Sequence, residues 1–572
     1  MGRINGRNGA VLYRPSLTAG MKFLGRRGPD SHRTWKSDDG GVELLHARLA
    51  IVDTDSRAHQ PFSDERNGLT IVLNGEIYNY RELRAQVSSY EFKTQSDTEV
   101  ILALYVAQGL NGLKQLRGMF ALCLVDEKSR RVCLVRDPIG KKPLFLARWS
   151  GGAYFGSSVL ALLAASGHEA RLVTEAAADF WGDGHVKPDQ SLIEGCTPVL
   201  PGQVIELDWA GAVQNIGSCV PDVPALPPKV DITAAQQQVS ELISQSVRRR
   251  LLNNPNPVSL LSGGIDSTVV TSHMKNVAGG SAITLGSLIP GMHDEKHARY
   301  AAGRIQVPLQ TVRARSPKLA EDATWAFNLQ DEPLGMISFF PLALMIRAAK
   351  DYGRILLTGD GGDEVFLGYG KAEDWTTANH NDSAAGSSGR GFAGSLAAPD
   401  WMSDWGKNMV TNSLVGHMFT KLDRAAAEQG VEARCPLLDW DLVAFVRSLG
   451  TDVLFFDGRT KALLKAELQG WPGRFIDRRK IGFAYNLRWA WAVSRFDGLR
   501  DLVSRDTVEE FGDKLPAELQ NDPSSWSSLN IFNNFPAVWK LLAWTSFKER
   551  LRLAAVTARE QQTPVALEAA VV

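Results

Sequence analysis

A chain of 572 residues is too long for one ordinary hydrophobic core, so two or three domains are expected. Hydrophobic residues make up 44% of it, no apolar run is long enough to span a membrane, and 63 basic side chains balance 63 acidic ones, which excludes a general attraction to nucleic acid or to anionic membranes. Five scattered cysteines (Cys123, Cys133, Cys196, Cys219, Cys435) form no CxxC pair and no zinc-spaced cluster, as expected of reduced thiols in a soluble cytoplasmic protein.

Short strands come first. Residues 71–73 run into Asn74-Gly75, while residues 120–125 and 132–135 flank a short polar turn and read as a hairpin. One helix is clear: Ser96-Asp97-Thr98-Glu99 forms a capping box, residues 100–106 give it an apolar part, and Gly109 stops it. Residues 218–229 hold four prolines, which disfavour helix interiors and central strands, so a linker is expected there. Beyond it, helical patterns alternate with apolar strands at 258–261, 283–288 and 355–358. That alternation predicts a parallel sheet with helices on both faces and ligands at the carboxyl ends of its strands. Residues 376–400, rich in Ser, Gly, Ala and Asn, read as a mobile surface loop, and the chain from about Ala558 as a weakly ordered tail. The expected division is a domain over 1–217, a linker over 218–232, a second domain over 233–557 and a tail over 558–572.

Ser262-Gly263-Gly264-Ile265-Asp266-Ser267 follows the first of those later strands and precedes the helix-compatible Thr268-Val269-Val270. Such a turn leaves unpaired backbone N–H groups at a helix start, where the dipole favours anions, and two adjacent glycines let the backbone approach phosphate oxygens. Ser262 and Ser267 add hydroxyl donors, and Asp266 suits a Mg²⁺ that bridges phosphates. No Gly-Lys-Ser/Thr follows, so nothing indicates γ-phosphoryl transfer. The stretch resembles the PP-loop of ATP pyrophosphatases, which cleave ATP to AMP and pyrophosphate while adenylating a substrate. A second loop, Gly359-Asp360-Gly361-Gly362-Asp363-Glu364, ends the strand at 355–358. Three acids among three glycines do not suit a core, and their spacing does not fit a calcium loop. Two carboxylates facing a phosphate site would hold Mg²⁺, and a third would steer an attacking amine.

Together these loops resemble the synthetase domain of the asparagine synthetase family. The resemblance continues through Gly368-Tyr369, Glu432-Ala433-Arg434-Cys435-Pro436-Leu437-Leu438-Asp439, Gly458-Arg459-Thr460-Lys461 and Arg479-Lys480-x-Gly482-Phe483. In the first part, Arg27-Gly28-Pro29-Asp30, residues 46–53, Asn74-Gly75-Glu76-Ile77-Tyr78-Asn79, Ser96-Asp97-x-Glu99-Val100 and Arg136-Asp137-Pro138-x-Gly140-x-Lys142-Pro143-Leu144 resemble the family's glutaminase domain. The resemblance covers roughly residues 1–550 and about ten ordered motifs, well beyond chance agreement.

It implies an α/β protein: an N-terminal-nucleophile-type αββα glutaminase sandwich followed by a doubly wound PP-loop ATP pyrophosphatase domain. The implied cofactors are ATP and Mg²⁺, the implied small-molecule partners glutamine and an acceptor carboxylate; a homodimer is compatible with it, and no nucleic acid or membrane is expected. ATP is assigned to Leu260, Ser262, Gly263, Gly264, Asp266, Ser267, Leu288 and Gly359, and the metal to Asp266 and Asp363. Lys461 would stabilise charge on the adenylate, and Asp360 would orient or deprotonate the incoming amine. In the glutaminase part Arg48 would pair with the α-carboxylate of glutamine, and Glu76 and Asp97 with its ammonium. Asn74 and the N–H of Gly75 would form the oxyanion hole.

Two departures stand out. The family's glutaminase nucleophile is a cysteine at position 2, and here that position is Gly2, which has no nucleophilic atom. Either the loss is natural and the domain a remnant, as in β-lactam synthetases, or glycine replaces a working cysteine. Retention of Arg48, Asn74, Gly75, Glu76 and Asp97 favours replacement, in which case a cysteine at position 2 would restore glutaminase activity. The second departure follows Asp331-Glu332-Pro333, where Met336, Phe339 and Phe340 suggest an apolar wall for an acid larger than aspartate, or else a buried helix start. Aspartate is the first expected acceptor. A β-lactam or macrolactam cyclase would use the same adenylation without ammonia, and a scaffold without activity is opposed by both intact loops.

Overall fold

A computed structural model of the protein describes residues 1–5, 16–149, 152–222, 230–251, 256–286, 293–313, 318–368, 418–478, 487–493, 495–496 and 498–561. Its first part is two six-stranded sheets face to face, each antiparallel along the pairs that carry the site. Gly2–Asn5 is central in one sheet, between Gly152–Gly156 and Val42–Arg48, and Leu69–Ile77 pairs with Gly118–Asp126 in the other. Side chains alternate across a strand, so a strand buried on both faces reads as an unbroken apolar run. Val72 accordingly joins Ile4, Leu44 and Phe155 between the sheets, whereas Ile71 and Leu73 pack under the helix Asp97–Gln108. Helices including Val159–Ser166 cover the outer face of the other sheet, which completes an αββα sandwich.

The expected hairpin is Gly118–Asp126 with Arg131–Arg136, and the run at 71–73 extends through Asn74 and Gly75 to Ile77. The predicted helix begins at Asp97, and Gly109 ends it at φ 62°. Its cap differs from the expected box. Ser96 accepts from the Thr98 N–H at 3.0 Å, while Glu99 turns away to take the N–H groups of Lys93 and Thr94, each at 2.7 Å. Two backbone donors on the incoming loop satisfy that buried carboxylate better than the single N–H of Ser96.

The second part is a five-stranded parallel sheet in the order Leu309–Val312, Ser281–Leu285, Val258–Leu260, Ile355–Leu357, Glu432–Arg434. Strand order reverses between Val258–Leu260 and Ile355–Leu357, and a crevice opens beyond the carboxyl ends of strands at such a switch point. The two glycine-rich loops leave from those two strand ends. The helix Phe535–Gln561 runs past Ala558, which is 3% exposed, so order continues beyond the expected start of the tail. It packs against Val159–Ser166, and Trp544 stacks on Phe180 with centroids 5.3 Å apart. The loop expected at 376–400 and the Arg479-Lys480-x-Gly482-Phe483 stretch lie outside the described residues.

Candidate active site

The phosphate loop is stapled by its own hydroxyls. Ser262 Oγ accepts from the Gly264 N–H at 3.2 Å and lies 3.0 Å from Ser267 Oγ, which donates to the Gly264 carbonyl. Gly263 has φ +75°, and a Cβ there would sit 2.5 Å from the backbone of Ala298, so only glycine fits. The helix Ile265–Ala278 begins at Gly264 without a side-chain cap, which leaves its first N–H groups for a ligand. The acidic loop packs directly on this one: a Cβ on Gly359 would lie 2.6 Å from the Ser267 nitrogen, and one on Gly362 2.5 Å from Asp266 Cγ.

Lys461 joins the two loops. Its Nζ donates to both oxygens of Asp266 at 2.6 and 2.7 Å and lies 2.6 Å from Asp363 Oδ1. Burial alone would lower the lysine's pKa, but the two carboxylates outweigh it and hold the ammonium charged. Lys461 adopts a left-handed backbone (φ 57°), a conformation that costs a non-glycine residue roughly 1 kcal/mol. Arg478 donates to the Gly263 carbonyl at 2.7 Å. Asp360 and Leu260 are half-buried beside this cluster, and Leu288 lies outside the described residues. Among the described residues no three His, Cys, Asp or Glu side chains cluster as a metal cage. Two carboxylates converging on one cation nevertheless fit a magnesium ion whose other ligands are phosphate oxygens and water.

A cavity of about 130 Å³ lies in the sandwich and is lined by Met1, His46, Arg48, Asn74, Gly75, Glu76, Asp97, Cys123 and Phe155. All five residues assigned to glutamine therefore share one chamber. Arg48 is fixed by the carbonyls of Asp53 and Asp55. Gly75 has φ 137°, and a Cβ there would meet the Met119 carbonyl. Asn74 Nδ2 donates to Ser157 Oγ at 3.0 Å. Burial lifts Asp97 to about 6 despite the Ile77 N–H it accepts, and burial also holds the Glu76 carboxyl well above its ordinary range, helped by Glu432 and Asp97. Glu76 also reaches Arg434 of the second part at 3.5 Å.

Gly2 faces the sandwich interior, as Ile4 does. A Cβ on it would fall 2.4 Å from Phe155 Cζ and 2.7 Å from Leu44 Cδ2, so the Phe155 ring fills the space of a side chain at position 2. Cys123, far along the chain, reaches the same chamber beside the Met1 nitrogen, but burial pushes its thiol up and keeps it protonated.

The glutamine amidotransferase domain family matches residues 2–215, and the asparagine synthase family matches residues 238–525. The chain belongs to the asparagine synthase family. It is 28% identical to a putative glutamine-hydrolysing asparagine synthetase 2 of Methanocaldococcus jannaschii, over 64% of this chain and 75% of that protein. It is 25% identical to asparagine synthetase B of Escherichia coli, over 92% of this chain and 89% of that protein. It is also 28% identical to amidase chry2 of Gibberella zeae over 62% of this chain, and spans 55% of that protein's length.

In this asparagine synthase family member the acids of Asp331-Glu332-Pro333, to which the sequence assigned no role, join the two parts. Asp331 takes Ser158 Oγ at 2.6 Å and the Val159 N–H at 2.7 Å, and Glu332 takes Ser191 Oγ at 2.8 Å, so both acids tie the two parts together. Asp423 adds to the joint through Arg27 at 2.6 Å and Lys142 at 3.4 Å; burial works to raise its carboxyl, but these cations hold it at about 2. Phe339 and Phe340 are fully buried in the helix Phe339–Ala349, which corrects the expectation of an apolar substrate wall. They are core, packed where a helix start meets the sheet. The joint left no local signal, since its partners are 141 to 396 residues apart. Among the described residues no helix is long and apolar enough to cross a membrane.

Proposed function

We propose that this family member, an ATP-using carbon–nitrogen ligase, adenylates a small-molecule carboxylate and converts it to an amide with ammonia, its glutaminase step disabled by Gly2. The observation that carries this reading is the Asp266–Lys461–Asp363 cluster, which joins two glycine-rich loops at the switch point of a parallel sheet. The start of Ile265–Ala278, which has no side-chain cap, would take the pyrophosphate end of ATP. Asp266 and Asp363 would hold Mg²⁺, which when bound neutralises charge on the departing pyrophosphate. The acceptor's carboxylate oxygen attacks the α-phosphorus, and the bond to pyrophosphate breaks. Lys461 then moves from the carboxylates toward the acyl-adenylate, where its charge stabilises the tetrahedral state formed with the amine. Asp360 orients the amine and accepts its proton. Five buried free cysteines support a cytoplasmic setting. Pyrophosphate exchange into ATP that requires a carboxylate tests this reading, and exchange that ignores every acid supplied contradicts it.

The sandwich chamber is proposed to bind glutamine without cleaving it. Recognition uses Arg48, Glu76 and Asp97, whereas cleavage needs a thiol at position 2. Calorimetry should detect glutamine binding, and Arg48→Ala should abolish it in a variant that still folds, since truncating one partner of a buried charge pair costs about 2–5 kcal/mol. The pH dependence follows from Asp97. It must ionise to meet an ammonium, so affinity should fall as pH drops below about 6. Binding that strengthens on acidification would remove Asp97 from the site.

A further inference from the structure

Lys461 is aimed by a backbone anchored on both sides. It lies in the left-handed region at φ 57°, beside Leu367 at φ 54°. Its N–H donates to the Phe366 carbonyl at 3.2 Å, and its carbonyl accepts from the Lys465 N–H at 2.8 Å. Left-handed backbone at non-glycine residues persists where the surroundings over-determine it, and it gathers at functional sites. The stem of the lysine then runs past Gly368, where a Cβ would fall 2.2 Å from Lys461 Cε and 2.1 Å from Asp363 Oδ1. The fold therefore sets the direction of the side chain and leaves its far end to swing.

That end lies between two carboxylates, 2.6 and 2.7 Å from the oxygens of Asp266 and 2.6 Å from Asp363 Oδ1. The loops that carry them interlock. A Cβ on Gly362 would meet Asp266 Cγ at 2.5 Å, and one on Gly359 the Ser267 nitrogen at 2.6 Å, so the carboxylates have no room to part for a second ion. A magnesium ion takes its oxygens at about 2.0–2.1 Å, and two cations held by one carboxylate pair would repel each other near contact. Ammonium and metal thus exclude one another between Asp266 and Asp363.

A free ion that displaced the ammonium would leave Lys461, which is 8% exposed, without its carboxylates, and an unpaired buried charge is costly. A polyphosphate changes the balance, because its oxygens give both the displaced ammonium and the ion new anionic partners. We propose that Lys461 is the specificity residue of the metal site: it holds the ion's place between Asp266 and Asp363, so the site refuses a free divalent cation and takes one only together with a nucleotide polyphosphate. The inference rests on reading residues 262–267 and 359–364 as the adenylation site, and it gives the lysine a task before any bond is made. Linkage makes the coupling reciprocal, so the ion tightens nucleotide binding by the factor by which the nucleotide tightens ion binding.

The test is equilibrium dialysis of the full chain, with Mn²⁺ as the probe ion and α,β-methylene-ATP, which cannot release pyrophosphate, as the nucleotide. The unaltered chain should bind Mn²⁺ at least about twentyfold more weakly alone than with saturating analogue. Lys461→Met and Lys461→Gln should each raise the affinity for free Mn²⁺ at least about tenfold and shrink the effect of the analogue, whereas Lys461→Arg keeps the charge and should keep the free ion out. Adding Asp363→Asn to Lys461→Met should abolish the gain, which locates the ion at this pair. Free Mn²⁺ bound by the unaltered chain as tightly as with the analogue, or no gain in a folded Lys461→Met or Lys461→Gln, would overturn the proposal. The adenylation reading survives that failure if the unaltered chain still binds the analogue. A chain that binds neither the analogue nor Mn²⁺ in its presence overturns both.

Discussion

Replacing Asp363 with asparagine should abolish carboxylate-dependent ATP–pyrophosphate exchange, by about a thousandfold or more, while the protein stays folded. The carboxylate lies 2.6 Å from Lys461 Nζ and faces Asp266 across it, so the substitution keeps shape and removes one of two charges at the phosphate crevice. Lewis-acid stabilisation of a departing pyrophosphate amounts to several kcal/mol, and about 1.4 kcal/mol is tenfold in rate. The stability cost should be smaller, no more than about 2 kcal/mol, because Lys461 keeps Asp266 as partner. Asp266→Asn should behave alike. Near wild-type exchange in either variant would show that these carboxylates hold the lysine and nothing else.

The nitrogen source should show an effect of comparable size. Ammonium salts should support amide formation and glutamine should not, because no thiol at position 2 can form the acyl-enzyme. Retained pocket residues argue for a replaced cysteine, but the packing argues otherwise. Phe155 is 1% exposed, and its ring stands 2.4 Å from where a Cβ on residue 2 would be. Gly2→Cys, even with Met1 removed, should therefore fail to restore glutaminase activity and should cost about 1–3 kcal/mol of stability through overpacking. Gly2→Cys with Phe155→Leu gives the thiol room and separates steric exclusion from loss of the pocket. If the single substitution restores glutamine hydrolysis at unchanged stability, glycine stands in place of a working cysteine and the domain is no remnant.

What was legible in the sequence was local. The phosphate loop, the acidic loop and the strand through Asn74-Gly75 each declare themselves within about ten residues, through glycines that no other residue can replace and through apolar periodicity. The helix at 97–108 was legible for the same reason, while its cap was not, because Glu99 is drawn off by a loop whose path no sequence pattern records. The pairing of Lys461 with Asp266 spans 195 residues, and the resemblance proposed both without suggesting that they touch. Phe339 and Phe340 left two readings open because an apolar wall and a buried helix start share one composition, and the fold chose the second.

The most direct measurement follows oxygen. With ATP, ammonium and aspartate carrying ¹⁸O in both carboxylates, an acyl-adenylate mechanism transfers one labelled oxygen to AMP when the amine displaces it. AMP with a single ¹⁸O, formed in step with amide and lost in Asp363→Asn, is the predicted result. Label appearing in inorganic phosphate with ADP, or amide formed alongside unlabelled AMP, would contradict adenylation at this site.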